Sequence, residues 1–123
     1  MTSPATPALP RTSIVMVSYY TGAILYDAIA AVLRQTAPHE LILVNNGNPD
    51  EVLLRLKVMA RSYSALKIID GQGNVGFGKA CNIGAKAATG EYLLFLNPDC
   101  ILPAEALQRL FASARALMRP WML

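Results

Sequence analysis

Continuous apolar runs alternate along this chain with stretches in which apolar residues recur every three or four positions. Ser13-Ile14-Val15-Met16-Val17-Ser18 is a short, β-branched run and predicts a buried strand. Thr21-Gly22 interrupts it. Ile24, Leu25, Ala28, Ile29, Val32 and Leu33 then follow at the spacing of an amphipathic helix that ends near Gln35-Thr36, ahead of Pro38. Glu40-Leu41-Ile42-Leu43-Val44 predicts a second buried strand, stopped by the turn-rich Asn45-Asn46-Gly47-Asn48-Pro49. Asp50 is placed to cap the next helix, which carries Val52, Leu53, Leu56 and Met59 on one face. Leu66-Lys67-Ile68-Ile69-Asp70 reads as a third strand. A glycine-rich loop follows from Gly71 to Gly78, then a helix of small residues from Lys79 to Thr89, with Gly90 in the position of a C-terminal cap. Tyr92-Leu93-Leu94-Phe95-Leu96 is a fourth strand, and Pro103 opens a last helix with Leu107, Leu110, Phe111 and Ala114 on its face.

Strands that are apolar throughout, each followed by a helix, imply an α/β fold: a three-layer α/β/α arrangement around a mainly parallel sheet covered on both faces. Crossovers in such sheets are right-handed, and ligands bind at the carboxyl ends of the strands, near a switch in strand order. The chemically unusual residues all fall at those ends: Ser18-Tyr19-Tyr20, Asn45-Asn46-Gly47, the loop from Gly71 to Gly78, and Asn97-Pro98-Asp99. Residues 13–123 are expected to form this one domain, behind a flexible lead-in of residues 1–12 rich in Pro, Thr and Ser.

Composition narrows the chemistry. At 54% hydrophobic and 15% charged, 123 residues suffice to bury a core. The net charge of +3 is spread over Lys57, Arg61, Lys67, Arg109, Arg115 and Arg119, with no basic block and no interleaved aromatics, so no nucleic-acid surface is expected. Cys81 and Cys100 match no zinc spacing and read as small buried hydrophobes in a reducing compartment. His39, the single histidine, reads as a surface residue, which leaves little for a Ser-His couple to work with. The first residues lack an export signal, and no run is long enough to cross a membrane. A cytoplasmic protein is expected, peripherally associated with the inner membrane face at most.

Gly71-Gln72-Gly73-Asn74-Val75-Gly76 matches G-x-G-x-x-G after a strand and before a helix, which raises the alternative of an NAD-binding module. Such a fingerprint normally follows the first strand of its sheet, whereas here two strand-helix units precede it. The loop also carries a longer pattern that a dinucleotide does not explain: Asn74-Val75-Gly76-Phe77-Gly78, then Asn82-Ile83-Gly84. With Ser13 to Tyr20, Leu41 to Asn48, and Gly90-Glu91-Tyr92-Leu93-Leu94-Phe95-Leu96-Asn97-Pro98-Asp99, this pattern resembles the family-2 glycosyltransferases, especially their bacterial rhamnosyltransferase-like members. Order and spacing agree in all four segments, nearly the whole chain from Ser13 onward.

The resemblance implies the GT-A fold, in truncated form, with a nucleoside-diphosphate sugar (a UDP- or dTDP-sugar) bound through Mg²⁺ or Mn²⁺ for inverting transfer to a polysaccharide or another acceptor. Asp99 takes the place of the metal ligand and Asn97 that of a ribose or diphosphate contact, since hard cations prefer oxygen ligands. Alone, Asp99 reads sooner as the cap of the last helix; the flanking pattern is what turns it toward the metal. By the same resemblance Ser18, Tyr19, Tyr20, Asn45, Asn46, Asn74, Gly76, Phe77, Lys79 and Asn82 surround the nucleotide sugar. Tyr20 departs from the family's usual Asn. Asn45 departs from its usual Asp, keeping an acceptor oxygen but losing the charge. Asn82 is expected to fix the loop through hydrogen bonds to backbone. No acidic residue follows Glu105, so the acceptor site and general base of the family are expected to be missing. The chain then reads as a fragment of a longer enzyme or as a shortened, non-catalytic binding relative. In either case its uncovered sheet edge is expected to promote self-association or to meet a partner chain.

Overall fold

The computed structural model describes residues 10–117; the first nine residues of the expected lead-in and residues 118–123 lie outside them. Strands and helices alternate: β1 (Thr12–Tyr19), α1 (Ile24–Leu33), β2 (His39–Gly47), α2 (Asp50–Ser62), β3 (Leu66–Ile69), α3 (Phe77–Ala87), β4 (Tyr92–Phe95) and α4 (Ala106–Leu117). All strand pairs are parallel, in the order β3-β2-β1-β4. The chain runs outward from β1 to β3, then returns across the sheet to β4. Right-handed crossovers place α1 and α2 on one face and α3 on the other.

The packing follows from this path. On one face Leu25, Ala28, Ile29 and Val32 of α1, Leu56 of α2 and Leu107 of α4 meet Ile14, Met16, Leu41 and Leu43. On the other, Ala80 of α3 meets Val15, Val17, Ile42 and Val44. The central strands are buried from both sides, β1 from Thr12 to Ser18 and β2 from Glu40 to Asn46, which is why their sequences are apolar rather than alternating. Gly84 sets the depth of α3: a Cβ there would lie 2.5 Å from Val15 Cγ1 and 3.2 Å from Val44 Cγ2.

Several boundaries differ from the sequence reading. Asn45-Asn46-Gly47 does not stop β2; the strand continues through Gly47 with a bulge, Ser18 pairing with Asn45 and Tyr19 with Gly47. Asp50 caps nothing by its side chain; Pro49 is the N-cap of α2, and Asp50 and Glu51 lie in the first turn, where they face the positive end of the helix dipole. α3 begins at Phe77, and Ala88 is its C-cap. Gly90 is small for another reason: a Cβ on it would lie 2.7 Å from the Arg11 carbonyl. α4 starts at Ala106, beyond Pro103. Its first turn is held by a residue just past α1: Gln35 Oε1 accepts from Leu107 N (3.1 Å), and Gln35 Nε2 donates to the Pro103 carbonyl (2.7 Å). His39 is half-buried, with Nδ1 2.8 Å from the Ala37 carbonyl oxygen. Cys81 and Cys100 are half-buried free thiols, and burial pushes the Cys81 thiol up.

At the amino ends of the strands Glu40 is fully buried. Its carboxylate accepts from Ser13 Oγ (2.5 Å), Lys67 Nζ (2.6 Å), Thr89 N (2.7 Å) and Thr89 Oγ1 (2.8 Å). Burial pushes this carboxyl up, but the hydrogen bonds from Lys67, Ser13 and Thr89 outweigh it and hold the pKa at about 2. One side chain thus joins β1, β2, β3 and the connection into β4 at the end of the sheet away from the unusual loops.

Candidate functional site

At the carboxyl ends of the strands a cleft of about 370 Å³ is lined by Val17, Tyr19, Asn46, Asn74, Phe77, Asn97 and Pro98. It lies where strand order reverses, since β1 pairs with β2 on one side and with β4 on the other. Adjacent connections leave such a sheet in opposite directions there, and a crevice opens between them.

The bulge in β2 prepares one wall. It inserts Asn46 between the paired positions, so that the buried Asn45 and Asn46 are both drawn into networks of part-buried hydrogen bonds. Asn46 Nδ2 donates to Asn74 Oδ1 (3.2 Å), and Asn46 Oδ1 accepts from Val75 N (3.2 Å). Asn74 Oδ1 also accepts from Gly76 N (3.1 Å). This clasp holds the glycine loop against β2 and delivers Phe77 to the cleft. Gly71, Gly73 and Gly76 all have positive φ, which lets the loop turn tightly without a Cβ penalty.

The aromatic rim is set by a close approach. Gly47 has φ +141°, and a Cβ on it would meet the Tyr19 ring at 2.8 Å. Tyr20 is held at φ +44°, a conformation sparsely used by non-glycine residues, with its amide donating to the Gly47 carbonyl (2.8 Å). The two tyrosine rings pack edge to face, 4.9 Å apart. Tyr19, Tyr20 and Phe77 are each more than half exposed, at 55%, 64% and 63%. Exposed aromatic faces in a mostly apolar cleft with a few convergent amides suit a planar, partly polar ligand.

The opposite wall is a turn. Cys100 N donates to the Asn97 carbonyl (3.1 Å), closing Asn97-Pro98-Asp99-Cys100 on itself, with Asn97 and Asp99 exposed. Because α4 begins only at Ala106, Asp99 does not cap it. Among the described residues no three His, Cys, Asp or Glu side chains come together to hold a metal ion. A single open carboxylate beside an amide fits a cation shared with ligand oxygens, the way hard ions are held between one protein carboxylate and phosphates.

The structure separates the remaining expected site residues. Ser18 is fully buried, its hydroxyl 2.7 Å from Thr21 Oγ1 and accepting from Asn48 Nδ2 (3.1 Å), so it braces the loop from within instead of meeting solvent. Lys79 and Asn82 are exposed on α3. Asn82 does not fix the loop by side-chain hydrogen bonds; Asn46, Asn74 and Gln72 do that. Asn45 Oδ1 is already engaged by Asn48 Nδ2 (2.7 Å) and Gly47 N (3.3 Å), so the acceptor expected at this position is used internally. Its amide donates to Asp70 Oδ1 (3.2 Å). Gln72 and Asn48 are not singled out by the sequence, because the carbonyls they bond, those of Asn45 and Ser18, lie 27 and 30 residues away along the chain.

The chain matches Glycosyl transferase family 2 over residues 13–119. It is 34% identical over 107 residues to an uncharacterized glycosyltransferase, EpsJ, of Bacillus subtilis, covering 86% of this chain and 31% of that protein. It is likewise 34% identical over 107 residues to a PGL/p-HBAD biosynthesis glycosyltransferase of Mycobacterium tuberculosis, covering 85% of this chain and 42% of the relative. These relatives are therefore much longer than the portion it shares with them. Among solved structures, Staphylococcus aureus TarS 1–349 in complex with UDP-GlcNAc superposes with a TM-score of 0.74 at 24% identity, over 86% of this chain and 31% of that one. The mannosyltransferase PcManGT of Pyrobaculum calidifontis, in complex with GDP-Man and Mn²⁺, superposes with a TM-score of 0.74 at 20% identity, over 90% of this chain and 33% of that one. The fold is that of the GT-A glycosyltransferases. A parallel sheet with its cleft at the strand-order switch, a glycine loop clasped over that cleft and a family match across nearly all of the chain agree: the chain belongs to glycosyl transferase family 2.

Proposed function

We propose that this chain is the donor-binding portion of a glycosyltransferase that takes a UDP- or dTDP-sugar with a divalent cation and passes the sugar, with inversion, to a polysaccharide or related acceptor. The observation that carries this reading is the composition of one cleft. The Asn46–Asn74 clasp, the Tyr19 and Phe77 rings and the Asn97-Pro98 turn line the same space, so groups suited to ribose, base and diphosphate converge on it. The nucleotide-sugar complexes of the neighbouring structures support it. A dinucleotide is disfavoured by topology: the G-x-G-x-x-G loop follows β3, an edge strand, and not a strand at the switch.

In this reading Tyr19, Tyr20 and Phe77 frame the nucleoside, and Asn46, Asn74 and Gly76 shape the loop beside it. Ser18 and Asn45 act as supports. Lys79 and Asn82, exposed on α3, are the outermost of the assigned residues. Asp99 holds Mg²⁺ or Mn²⁺ together with diphosphate oxygens, and Asn97 contacts ribose or diphosphate. The cation supplies neutralisation of charge on the leaving nucleoside diphosphate. The general base and acceptor site belong to sequence outside the portion shared with the longer relatives. Among the described residues no helix is long and apolar enough to cross a membrane. Free cysteines and the net charge of +3 favour a reducing compartment and contact with an anionic membrane face.

Titration calorimetry with UDP and dTDP, with and without Mn²⁺, tests the reading. Binding is expected to tighten with Mn²⁺, and Asp99→Ala is expected to abolish that gain while leaving the metal-free affinity within about two-fold. Metal-enhanced binding that survives Asp99→Ala would sink the metal assignment. Saturable NADH binding unaffected by either nucleotide would sink the donor site itself.

A further inference from the structure

The carboxyl ends of β2 and β3 carry a cluster that the cleft lining does not include. Asn45 is buried and nearly saturated: its oxygen takes two internal donors, and its amide is directed at Asp70. Asp70 follows β3, with its side chain 31% exposed and its second carboxylate oxygen 3.6 Å from Lys57 Nζ on α2. Gln72 Nε2 donates to the Asn45 carbonyl (2.7 Å), which leaves Gln72 Oε1 buried without a hydrogen-bond partner. Apart from Lys57, whose charge is already directed at Asp70, this end of the site offers acceptors: a partly exposed carboxylate with spare lone pairs, next to an unpaired amide oxygen. A ligand group recognised here must bring an N–H or O–H donor.

Position decides which donor. Asp70 follows β3 and Asp99 follows β4, and the order β3-β2-β1-β4 separates those strands by three sheet spacings. At about 4.8 Å each that is roughly 14 Å. With the diphosphate at the Asn97-Pro98-Asp99 turn and the ribose between, the group that extends toward β3 is the base. Phosphates carry no donor at neutral pH, and the ribose hydroxyls lie short of this end.

We propose that Asp70 reads the donor nucleotide by accepting the ring N–H of its base, the imide of uracil or thymine or the lactam of guanine, with Asn45 holding the carboxylate in place. The proposal rests on the donor-site reading above. It accounts for the amide at position 45: a carboxylate there would face Asp70 across the present 3.2 Å contact, and like charges at that separation repel strongly. Asn45 and Asp70 form a pair in which one carboxylate suffices, and the structure has placed it on β3's side. Bases without a ring N–H at that edge, cytosine and adenine, are disfavoured.

The test is a set of titrations on the full chain with UDP, dTDP, GDP, CDP and ADP, and with the ring-N-methyl analogue of whichever binds best. The wild-type chain is expected to bind the methylated analogue, CDP and ADP roughly 10- to 100-fold more weakly, the range for losing one hydrogen bond to a charged group. Asp70→Ala, which removes the acceptor altogether, is expected to weaken the best nucleotide by a similar factor and to erase discrimination against the methylated analogue. Asn45→Asp with Asp70→Asn, which moves the carboxylate across the pair, is expected to recover affinity to within a few-fold. Equal binding of the parent and methylated nucleotides by the wild-type chain would overturn this inference alone, with no variant needed. Binding of none of the five nucleotides would overturn the donor site and this inference together.

Discussion

Single residues at this site are chosen by space as much as by chemistry. Gly84 lies in a helix, where alanine is intrinsically better by about 1 kcal/mol. Yet an added Cβ would sit 2.5 Å from a buried branched side chain of β1 and 3.2 Å from one of β2. Gly84→Ala is therefore expected to destabilise the chain by about 1–3 kcal/mol, the usual cost of overpacking a rigid core. A thermal or urea unfolding curve reads this directly, and an unchanged or raised midpoint would show that α3 slides freely on the sheet. Gly47 has a different reason to be glycine, a positive φ under the Tyr19 ring. A side chain there moves the tyrosine and so acts on the lining of the cleft before it acts on the fold.

At the scale of elements, two long-range contacts position parts that local sequence leaves undirected. Gln35, past the end of α1, both accepts from Leu107 and donates to Pro103, so the first turn of α4 is capped by a residue from elsewhere in the chain. Gln35→Ala removes that cap and leaves a buried amide without a partner. A loss of about 1–2 kcal/mol is expected, together with faster amide exchange at Leu107. The second contact is the Asn46–Asn74 clasp. Asn46→Ala frees Val75 N and one side of Asn74, and is expected to speed exchange at Val75 and weaken nucleotide binding while the unfolding midpoint moves little. Undiminished protection at Val75 would show that the glycines alone hold the loop.

The whole molecule is held at one end by Glu40, and among the described residues β3 and β4 are the edge strands of its sheet. Because Glu40's pKa falls from an ordinary 4.5 to about 2 on folding, its contribution is complete above pH 4.5 and is lost as pH drops toward 2. It amounts to on the order of 3 kcal/mol. Glu40→Gln is expected to lower stability at pH 7 and to flatten its decline between pH 5 and 2, seen in urea titrations across that range. Along β4, Tyr92, Leu93 and Phe95 are exposed, and β1 is the strand it pairs with. An apolar strand with a free edge invites another strand. Self-association is therefore expected, and light scattering that shows a monodisperse monomer at high concentration would contradict it.

Element order and fold class were legible in the sequence because apolar runs and helical spacings report burial directly, and burial is what a parallel sheet covered on both faces demands. The glycine loop and Asn97-Pro98-Asp99 were legible as well, since unusual residues at the ends of strands have few structural reasons to be there. Glu40 was not: a carboxylate opening an apolar strand looks like a solvated end until Ser13, Lys67 and Thr89, distant in sequence, are seen to converge on it. The roles of Ser18, Asn45 and Asp70 were hidden for the same reason. The chain by itself determined which residue types reach the carboxyl ends of the strands. Which of them face the cleft, and which spend their hydrogen bonds on one another, was decided only by the register of β2 on β1 and β3. A bulge at Asn46 shifts the last pair of that register, Tyr19 with Gly47, and a turn signal in sequence does not distinguish it from the end of a strand.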